Sequence, residues 1–371
     1  MSAVVSPYAS SLGWLKAAFP AFLKPDVYRA LLAAKDVDEF AKVLDPTPYG
    51  PALARTSATH SGVSLVEIAL NRTLVQRNRN AYHRTPYGGQ AVVAAYLARW
   101  DIQNIELILS SKAQGRAVTE TEDHLVSARD IPAGFYTGLI GLDDFRILLS
   151  QPSLDATVAA LVKYGYGATI LPFLEEFQRT RNIFPILQAL DKEYYRKVLS
   201  AARFVQGDEW ILHGFLQSEL DVRNALILLK GKSIDLPLDA VLTHWIEGGT
   251  LAVSQVPALY AAAGVPDLAR RLAPRWPSLA NVTPSDAEAP KDTEPGTLTG
   301  YEVAMQRDRA ATELKRLPMY PLSVNVVFSY LLRVELEWSD LRRIVFGLVY
   351  GLPTSQVEPL LISHQLRGTI F

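Results

Sequence analysis

Apolar residues in this chain recur every three to four positions over long stretches, which is the spacing of one face of an α-helix. The segment Ala91–Gln114 shows this pattern without any proline or glycine, and Gly115 follows it as a helix stop. Similar spacing predicts helices over Val66–Tyr82, over Leu187–Val205 and around Leu220. Because no series of segments alternates apolar and polar residues as strands do, the sequence predicts an all-α fold.

The chain also repeats itself. Residues Asp26–Gly50 and Asp143–Gly167 align without a gap at an offset of 117 residues, with matching Asp, Arg, Leu, Tyr and Gly positions. Val256–Leu272 is a third, weaker copy that keeps the corresponding apolar positions. Repetition of this kind predicts a chain built from similar structural units.

A second marker follows each copy, namely two polar residues three positions apart within an apolar helical stretch. The pairs are Asp101 with Asn104, Asp221 with Asn224, and Glu337 with Asp340. Their first members lie 120 and 116 residues apart, in step with the first marker. We therefore expect three similar helical units at 1–125, 126–240 and 241–371. Residues 277–300 are rich in Pro, Ser, Thr and acids, which predicts an exposed loop or, alternatively, a partner-binding segment.

Each polar pair shares one face of its helix, and that face is otherwise apolar. A buried polar group without a partner costs on the order of 1–3 kcal/mol, so these side chains need hydrogen bonds. The favoured interpretation is that each pair fixes helix register inside its own unit, with Arg29 and Arg146 as candidate partners. The two acids of the third pair need cations, for which Arg342 and Arg343 are neighbours in sequence. Two other interpretations remain open: a surface that meets another protein of a complex, and a metal or acid–base site.

Composition narrows the function classes. The 371 residues carry 37 basic and 38 acidic side chains, which argues against a nucleic-acid-binding protein with its usual basic excess. The absence of cysteine excludes disulfides, thiolate metal sites and a cysteine nucleophile. Charges interrupt every apolar stretch well before the ~18 residues of a transmembrane helix, and the first residues do not resemble a secretory signal. We expect membrane contact only through partner subunits.

Motifs for catalysis or cofactor binding are incomplete. Lys230–Ser233 contains the Gly-Lys-Ser of a phosphate loop, but the required earlier glycine is missing and the segment continues a helix. Gly165-Tyr-Gly167 begins a dinucleotide fingerprint without its third glycine, and the internal repeat explains it better. No two of the six histidines stand three to five residues apart, as a zinc-binding helix requires. We expect no cofactor, metal site or catalytic residue.

A basic run, Gln76–Arg84, contains Arg77 and Arg79. We interpret it as a solvated helix face, and the alternative is a docking surface for an acidic partner. Together with Arg342 and Arg343, these two arginines are the candidate contacts with a partner protein.

Three divergent helical units, each with such a polar pair, resemble the C-subunit family of V/A-type rotary ATPases, which includes the d subunit of eukaryotic V-type enzymes. The most specific stretches are Tyr96–Ile105, Glu219–Ala225, Arg342–Gly347 and Gly351-Leu-Pro353. The resemblance covers nearly the whole chain, and the two acids of the third pair are a modest departure from it.

This resemblance implies a pseudo-threefold, funnel-shaped protein on the cytoplasmic side of the membrane, acting as a non-catalytic part of the central-stalk rotor. One opening would receive the shaft made of the D and F subunits, and the opposite face would sit on the membrane proteolipid ring. The protein would transmit torque during proton or sodium ion transport coupled to ATP synthesis or hydrolysis. The competing hypotheses are a helical-repeat scaffold with other partners and an all-helical enzyme.

Overall fold

The computed structural model describes residues 6–122, 124–126, 140–205, 209–282 and 295–370. Every regular element in these ranges is a helix, which confirms the all-α prediction. We call 1–125, 126–240 and 241–371 the first, second and third segments, and these boundaries remain a prediction.

The α-helices are numbered in chain order. The first segment contains α1 Ala9–Ala18, α2 Pro25–Ala33, α3 Val37–Leu44, α4 Gly50–Thr56, α5 Gly62–His83, α6 Tyr87–Leu97, α7 Arg99–Ala113 and α8 Val118–Glu122. The second contains α9 Leu142–Ser150, α10 Leu154–Leu161, α11 Gly167–Ile170, α12 Leu174–Thr180, α13 Phe184–Ala202, α14 Glu209–Ser233 and α15 Leu238–Thr243. The third contains α16 Val256–Tyr260, α17 Val265–Leu272, α18 Pro295–Arg316, α19 Asn325–Val349, α20 Thr354–Val357 and α21 Ser363–Ile370. Short 3₁₀ helices are Phe19–Ala21, Val162–Tyr164, Leu171–Phe173, Val253–Gln255, Pro277–Asn281, Leu317–Met319 and Glu358–Leu360.

The helices predicted from periodicity are present with small shifts at their ends. Helix α5 contains all of Val66–Tyr82, and α13 contains most of Leu187–Val205. The predicted helix Ala91–Gln114 is divided between α6 and α7 at Ala98. Backbone hydrogen bonds of 3.0 Å on both sides of Ala98 carry the helical path across the break.

The prediction of a loop over residues 277–300 is wrong at both ends of the segment, where the chain is helical. Pro277–Asn281 forms a 3₁₀ helix that buries Leu279, and Pro295 is the first residue of α18. Composition was misleading there because proline is as suitable for the first turn of a helix as for a loop. Residues 283–294 lie outside the described residues.

The helices that carry the polar pairs are α7, which continues α6, and α14 and α19, and we call them the three long helices. They end in the same backbone motif. Gly115, Asp235 and Gly351 follow them in the left-handed conformation, with φ of 66°, 51° and 65°. The next residue in each case donates its N–H to the carbonyl five positions earlier, at 2.8–2.9 Å. This is a Schellman helix end, which satisfies the last carbonyls. The local structure therefore repeats at the same spacings as the sequence.

The end of each long helix packs against the first short helices of the following segment. Lys112 Nζ donates to the last turn of α9 at 2.7 Å, and Lys232 Nζ donates to the end of α16 at 3.2 Å. After the third long helix, Thr354 Oγ1 donates to α2 of the first segment at 3.1 Å. The three segments therefore contact one another in a closed cycle.

The apolar core follows this cyclic arrangement. One cluster of buried residues joins the first segment, most of the second and the last part of the third. A second cluster joins the C-terminal half of α14 to α16, α17 and the beginning of α18. Each junction between segments is thus an apolar interface as well as a hydrogen-bonded one.

Candidate functional site where three long helices meet

Three aromatic rings lie where helices from the three segments converge. Tyr96 belongs to the last turn of α6, Phe215 to α14 and Phe328 to α19. The ring centroids are 5.8 Å apart for Tyr96 and Phe215, 5.0 Å for Tyr96 and Phe328, and 5.6 Å for Phe215 and Phe328. Such tilted and edge-to-face contacts between buried rings are favourable beyond their apolar burial. The rings form a closed triangle that we call the aromatic triangle.

An ion network joins the three segments one to two turns further along the chain from these rings. Arg99 contacts Glu219 of the second segment at 2.6 Å and Glu335 of the third at 3.0 Å. Arg309 on α18 contacts the other oxygen of Glu219 at 2.8 Å. The Tyr194 hydroxyl accepts from Arg99 Nη2 at 2.8 Å. Each charged group thus has a partner in a different segment.

The charges of this network determine the ionisation of Glu219. Burial alone would raise its pKa, but the cations Arg99 and Arg309 outweigh burial and hold the pKa of Glu219 below its ordinary value. The Arg99 guanidinium also lies 3.8 Å from the centroid of the Tyr96 ring, which adds a cation–π contact. Glu219 is therefore ionised, and the network is tied to the aromatic triangle through Arg99.

A cavity of about 430 Å³ adjoins the network. Every residue that α7, α14 and α19 contribute to its wall lies C-terminal to the aromatic triangle, so the triangle stands at one end of the cavity. The polar and charged lining residues are Arg99, Gln103, Glu106, Asp191, Tyr194, Tyr195, Glu219, Arg223, Glu302, Gln306, Arg309, Glu335, Ser339 and Arg343. All three segments supply these side chains, so the cavity lies where the three segments meet.

One carboxyl group in the wall has an unusual pKa. Desolvation in the cavity, together with the charge of Asp191, raises the pKa of Glu106 to about 8, and Arg223 offsets only part of this rise. Arg223 forms its ion pair with Asp191. Glu106 is therefore largely protonated at neutral pH.

The second member of each polar pair holds the chain 22 residues further on. Asn104 accepts from Val126 N at 2.7 Å and donates to Val126 O at 2.9 Å. Asn224 accepts from Ile246 N at 3.0 Å and donates to Ile246 O at 2.8 Å. Asp340 accepts from Ile362 N at 2.8 Å. The signal in the sequence that we overlooked is an apolar dipeptide at this spacing: Leu125-Val126, Trp245-Ile246 and Leu361-Ile362.

The first members of the second and third pairs bind the following segment. Asp221 accepts from the backbone N–H groups of Thr250 and Leu251 at 2.8 Å, and it pairs with Arg275. Glu337 accepts from Leu23 N of the first segment at 2.7 Å. Asp101 of the first pair is also buried. Asp221 and Glu337 therefore connect segments. With the predicted boundaries, Asn104 and Asn224 also bind the first residues of the next segment, whereas Asp340 binds within its own.

The partners expected for the pairs were partly wrong. Arg29 is exposed and pairs with Asp26, and Arg146 pairs with Glu122 and Asp143. Both arginines are held at the surface by these acids, and the polar pairs instead bind backbone groups and, at Asp221, Arg275. Arg343 contacts Asp340 at 3.3 Å, as expected.

The four candidate interface arginines occupy different environments. Arg77 is buried and contacts Glu337 at 2.7 Å, so the interpretation of its helix face as solvated is wrong at this residue. Arg342 contacts Glu67 at 2.7 Å. Arg79 is half-buried beside His83, and Arg343 lines the cavity. Of the four, Arg343 lies on the cavity wall.

The motifs for phosphate and dinucleotide binding have structural explanations. Lys230–Ser233 is the last turn of α14, where the backbone N–H groups serve the helix. Gly167 is required because a Cβ there would lie 2.7 Å from Val158 O, and Gly50 is likewise crowded against Asp45 O.

Within the described residues, no three His, Asp or Glu side chains are placed to hold a metal ion. No helix in those ranges is long and apolar enough to cross a membrane.

Comparison with known proteins identifies the family. The family model described as ATP synthase (C/AC39) subunit matches residues 13–360. The chain belongs to the ATP synthase (C/AC39) family. It is 31% identical to the C subunit of the A-type ATP synthase of Thermoplasma acidophilum over 97% of this chain and 99% of that protein. It is 29% identical to that of Thermoplasma volcanium, over 96% and 98% of the two chains, and 27% identical to that of Halorubrum lacusprofundi, over 87% and 88%.

Membership of the C/AC39 family confirms the resemblance drawn from the repeated pairs. It makes this chain a relative of subunits of a rotary ATP synthase. Sequence reasoning included Tyr96, Arg99 and Glu219 in the specific stretches, but it did not foresee that they contact one another. Only the tertiary arrangement brings residues about 120 positions apart into one network.

The paired asparagine gives a first testable prediction. Asn224→Ala leaves both backbone groups of Ile246 without their buried partner, so we expect the free energy of unfolding to fall by about 3 kcal/mol. Denaturant unfolding of the purified variant measures this. Asn80→Ala, at an exposed position of α5, is the control and should change stability by less than about 0.5 kcal/mol. Equal effects of the two changes would contradict the role of Asn224.

The ion network gives a second prediction. Arg99→Ala leaves Glu219 and Glu335 with fewer cations in a mostly buried site, so we expect a loss of about 3 kcal/mol in the free energy of unfolding. Arg196→Ala removes an exposed pair with Glu193 on α13 and should cost less than about 1 kcal/mol. Thermal and urea unfolding of both variants test the difference, and a loss at Arg99 no larger than at Arg196 would refute it.

Glu106 gives a third prediction, on pH dependence. Its folded pKa of about 8 lies above its ordinary value of 4.5, so between these values the folded protein keeps a proton that the unfolded chain releases. The contribution of Glu106 to stability is therefore present below about pH 5 and is lost as the pH rises towards about 8. Glu106→Gln should show a smaller decline in melting temperature over this range, and Glu247→Gln, at an exposed position, should follow the wild type. Parallel curves for all three proteins would show that Glu106 is not responsible.

Proposed function

We propose that this chain is the non-catalytic coupling component of the rotor in a rotary ATP synthase, placed between the D/F shaft and the membrane proteolipid ring on the cytoplasmic side. The observation that carries the proposal is the cavity whose wall is built from all three segments. A socket for a rotating shaft needs an opening on the axis, walls that resist deformation and no chemistry of its own.

The cavity provides a suitable receptor for the tip of a shaft. Its wall combines charged and polar side chains from α7, α14 and α19, and the aromatic triangle stands at its end. An inserted helix end would meet hydrogen-bonding and charged groups on every side. Polar contacts of this kind favour specific binding in one orientation. A shaft that transmits torque needs both, because it must not rotate within its socket.

The closed cycle of segments supports a mechanical role. Torque applied at the cavity reaches each long helix, and each long helix is fixed to the next segment by hydrogen bonds at its C-terminal end. The ion network and the aromatic triangle connect the same helices on the axis. A ring of interlocked segments distributes a twisting load over three junctions, which lowers the force that any one contact carries.

A pull-down from cells that make the tagged protein tests this function. We expect the D and F subunits and the proteolipid to co-purify with the chain. Recovery of unrelated proteins without these partners would instead favour the helical-repeat scaffold.

A cavity-filling variant tests the location of the shaft site. Gln103→Trp with Ser339→Trp places two indole rings in the cavity from exposed or half-buried positions, so we expect capture of the shaft to fall by about tenfold or more through steric exclusion. Capture of the ring should persist. Gln76→Trp, at an exposed position on α5, is the matched control. Undiminished capture of the shaft by the double variant would exclude the cavity as the socket.

A further inference from the structure

A second surface lies at the opposite end of the long helices, beyond the aromatic triangle. Three loops lead into α6, α14 and α19, and they occupy corresponding positions in the three segments. Their most exposed apolar side chains are Tyr87 at 91%, Phe204 at 79%, Met319 at 71% and Trp210 at 63%. We call this surface the N-terminal rim.

The three loops lie side by side. The Trp210 and Tyr320 rings are 5.9 Å apart, which joins the second loop to the third. A Cβ at Gly89 would lie 3.2 Å from a methyl group of Val324, which joins the first loop to the third. The exposed apolar side chains of these three loops are therefore grouped at the N-terminal end of the long helices. The C-terminal ends of the long helices, in contrast, pack separately on successive segments.

Exposed basic residues accompany the apolar ones. Arg84 precedes Tyr87, Arg203 precedes Phe204, and Lys315 lies four residues before Met319, and all three basic side chains are exposed. The second loop also contains Asp208 and Glu209 in its sequence, so the basic excess comes from the first and third loops. Aromatic rings beside Arg and Lys are the composition of surfaces that lie in the headgroup region of a bilayer.

We infer that the N-terminal rim binds directly to an anionic lipid surface, with Tyr87, Phe204, Trp210 and Met319 entering the headgroup region. The expectation that membrane contact is made only through partner subunits is then incomplete. The rim stands at the end of the long helices away from the cavity, so a shaft in the cavity and a membrane at the rim can be engaged together. Lipid binding is inferred from the exposed side chains of the rim. That the rim faces the proteolipid ring rests on the proposed function.

Vesicle flotation with the full chain tests the inference. We expect the protein to float with vesicles of phosphatidylcholine and phosphatidylglycerol and to bind phosphatidylcholine vesicles more weakly, because anionic headgroups attract the basic residues. The triple change Tyr87→Ser, Phe204→Ser and Met319→Ser should lower binding by about tenfold or more, since it removes the apolar contacts. All three side chains are exposed, so the fold should be retained.

The matched control replaces apolar side chains at the other end of the long helices. Ile234→Ser with Tyr350→Ser changes residues exposed at 67% and 73% and should leave binding unchanged. Quenching of tryptophan fluorescence by brominated lipid should be strong in the wild type and reduced in Trp210→Phe, which keeps an aromatic ring at the rim.

Three outcomes would overturn the inference: no flotation of the wild type, equal binding by the triple variant and the wild type, or equal loss in the control. If the rim variant instead loses the purified proteolipid ring in pull-downs while the wild type ignores vesicles, the rim is a protein contact. That result would reject lipid binding and leave the coupling function intact. If the D, F and proteolipid subunits do not co-purify with the chain but the chain binds vesicles normally, the coupling function is rejected and lipid binding is kept.

Discussion

One guanidinium group determines how the three segments can be arranged. Arg99 lies between Glu219 of the second segment and Glu335 of the third, and its flat face rests on Tyr96 of its own segment. A mostly buried carboxylate with too few cations is costly, so Glu335 needs Arg99 in place and Glu219 needs Arg99 in addition to Arg309. The three long helices must therefore meet in one relative position. A polar cavity beside them is tolerated because its charges are paired within its wall.

This constraint makes the protein suitable as a passive coupler. The pairs that hold the cavity wall connect different segments, so displacement of one long helix disturbs the other two. Packed interfaces with discrete polar pairs resist gradual deformation. For the coupling function proposed above, such stiffness matters more than a reactive group, and the contacts between segments supply it.

The sequence predicted the elements well and their mutual contacts poorly, for physical reasons. Helical periodicity is a local property, and so is the stop at Gly115, which is why the helices over Ala91–Gln114 and around Leu220 were located from spacing alone. The repeat revealed that Asn104 and Asn224 have equivalent surroundings. It did not reveal which groups those are, because a hydrogen bond to the backbone requires no particular side chain at the partner position, and the apolar dipeptides found there are common in any core. Arg77 looked like a surface residue since its neighbours are polar, and only tertiary packing shows that it is buried.

The departure of the third polar pair from the first two follows from the closure of the cycle. Asp221 accepts from Leu251 N in the third segment, and Glu337 accepts from Leu23 N in the first, at the corresponding position of the repeat. The acid of the third long helix thus binds the beginning of the chain. There it also meets the Tyr49 hydroxyl at 3.0 Å and Arg77 at 2.7 Å. A glutamate extends one methylene further than an aspartate, which allows one carboxylate to reach the backbone, the phenol and the guanidinium together. The change that weakens the repeat in the sequence is thus one that helps to close the ring of segments.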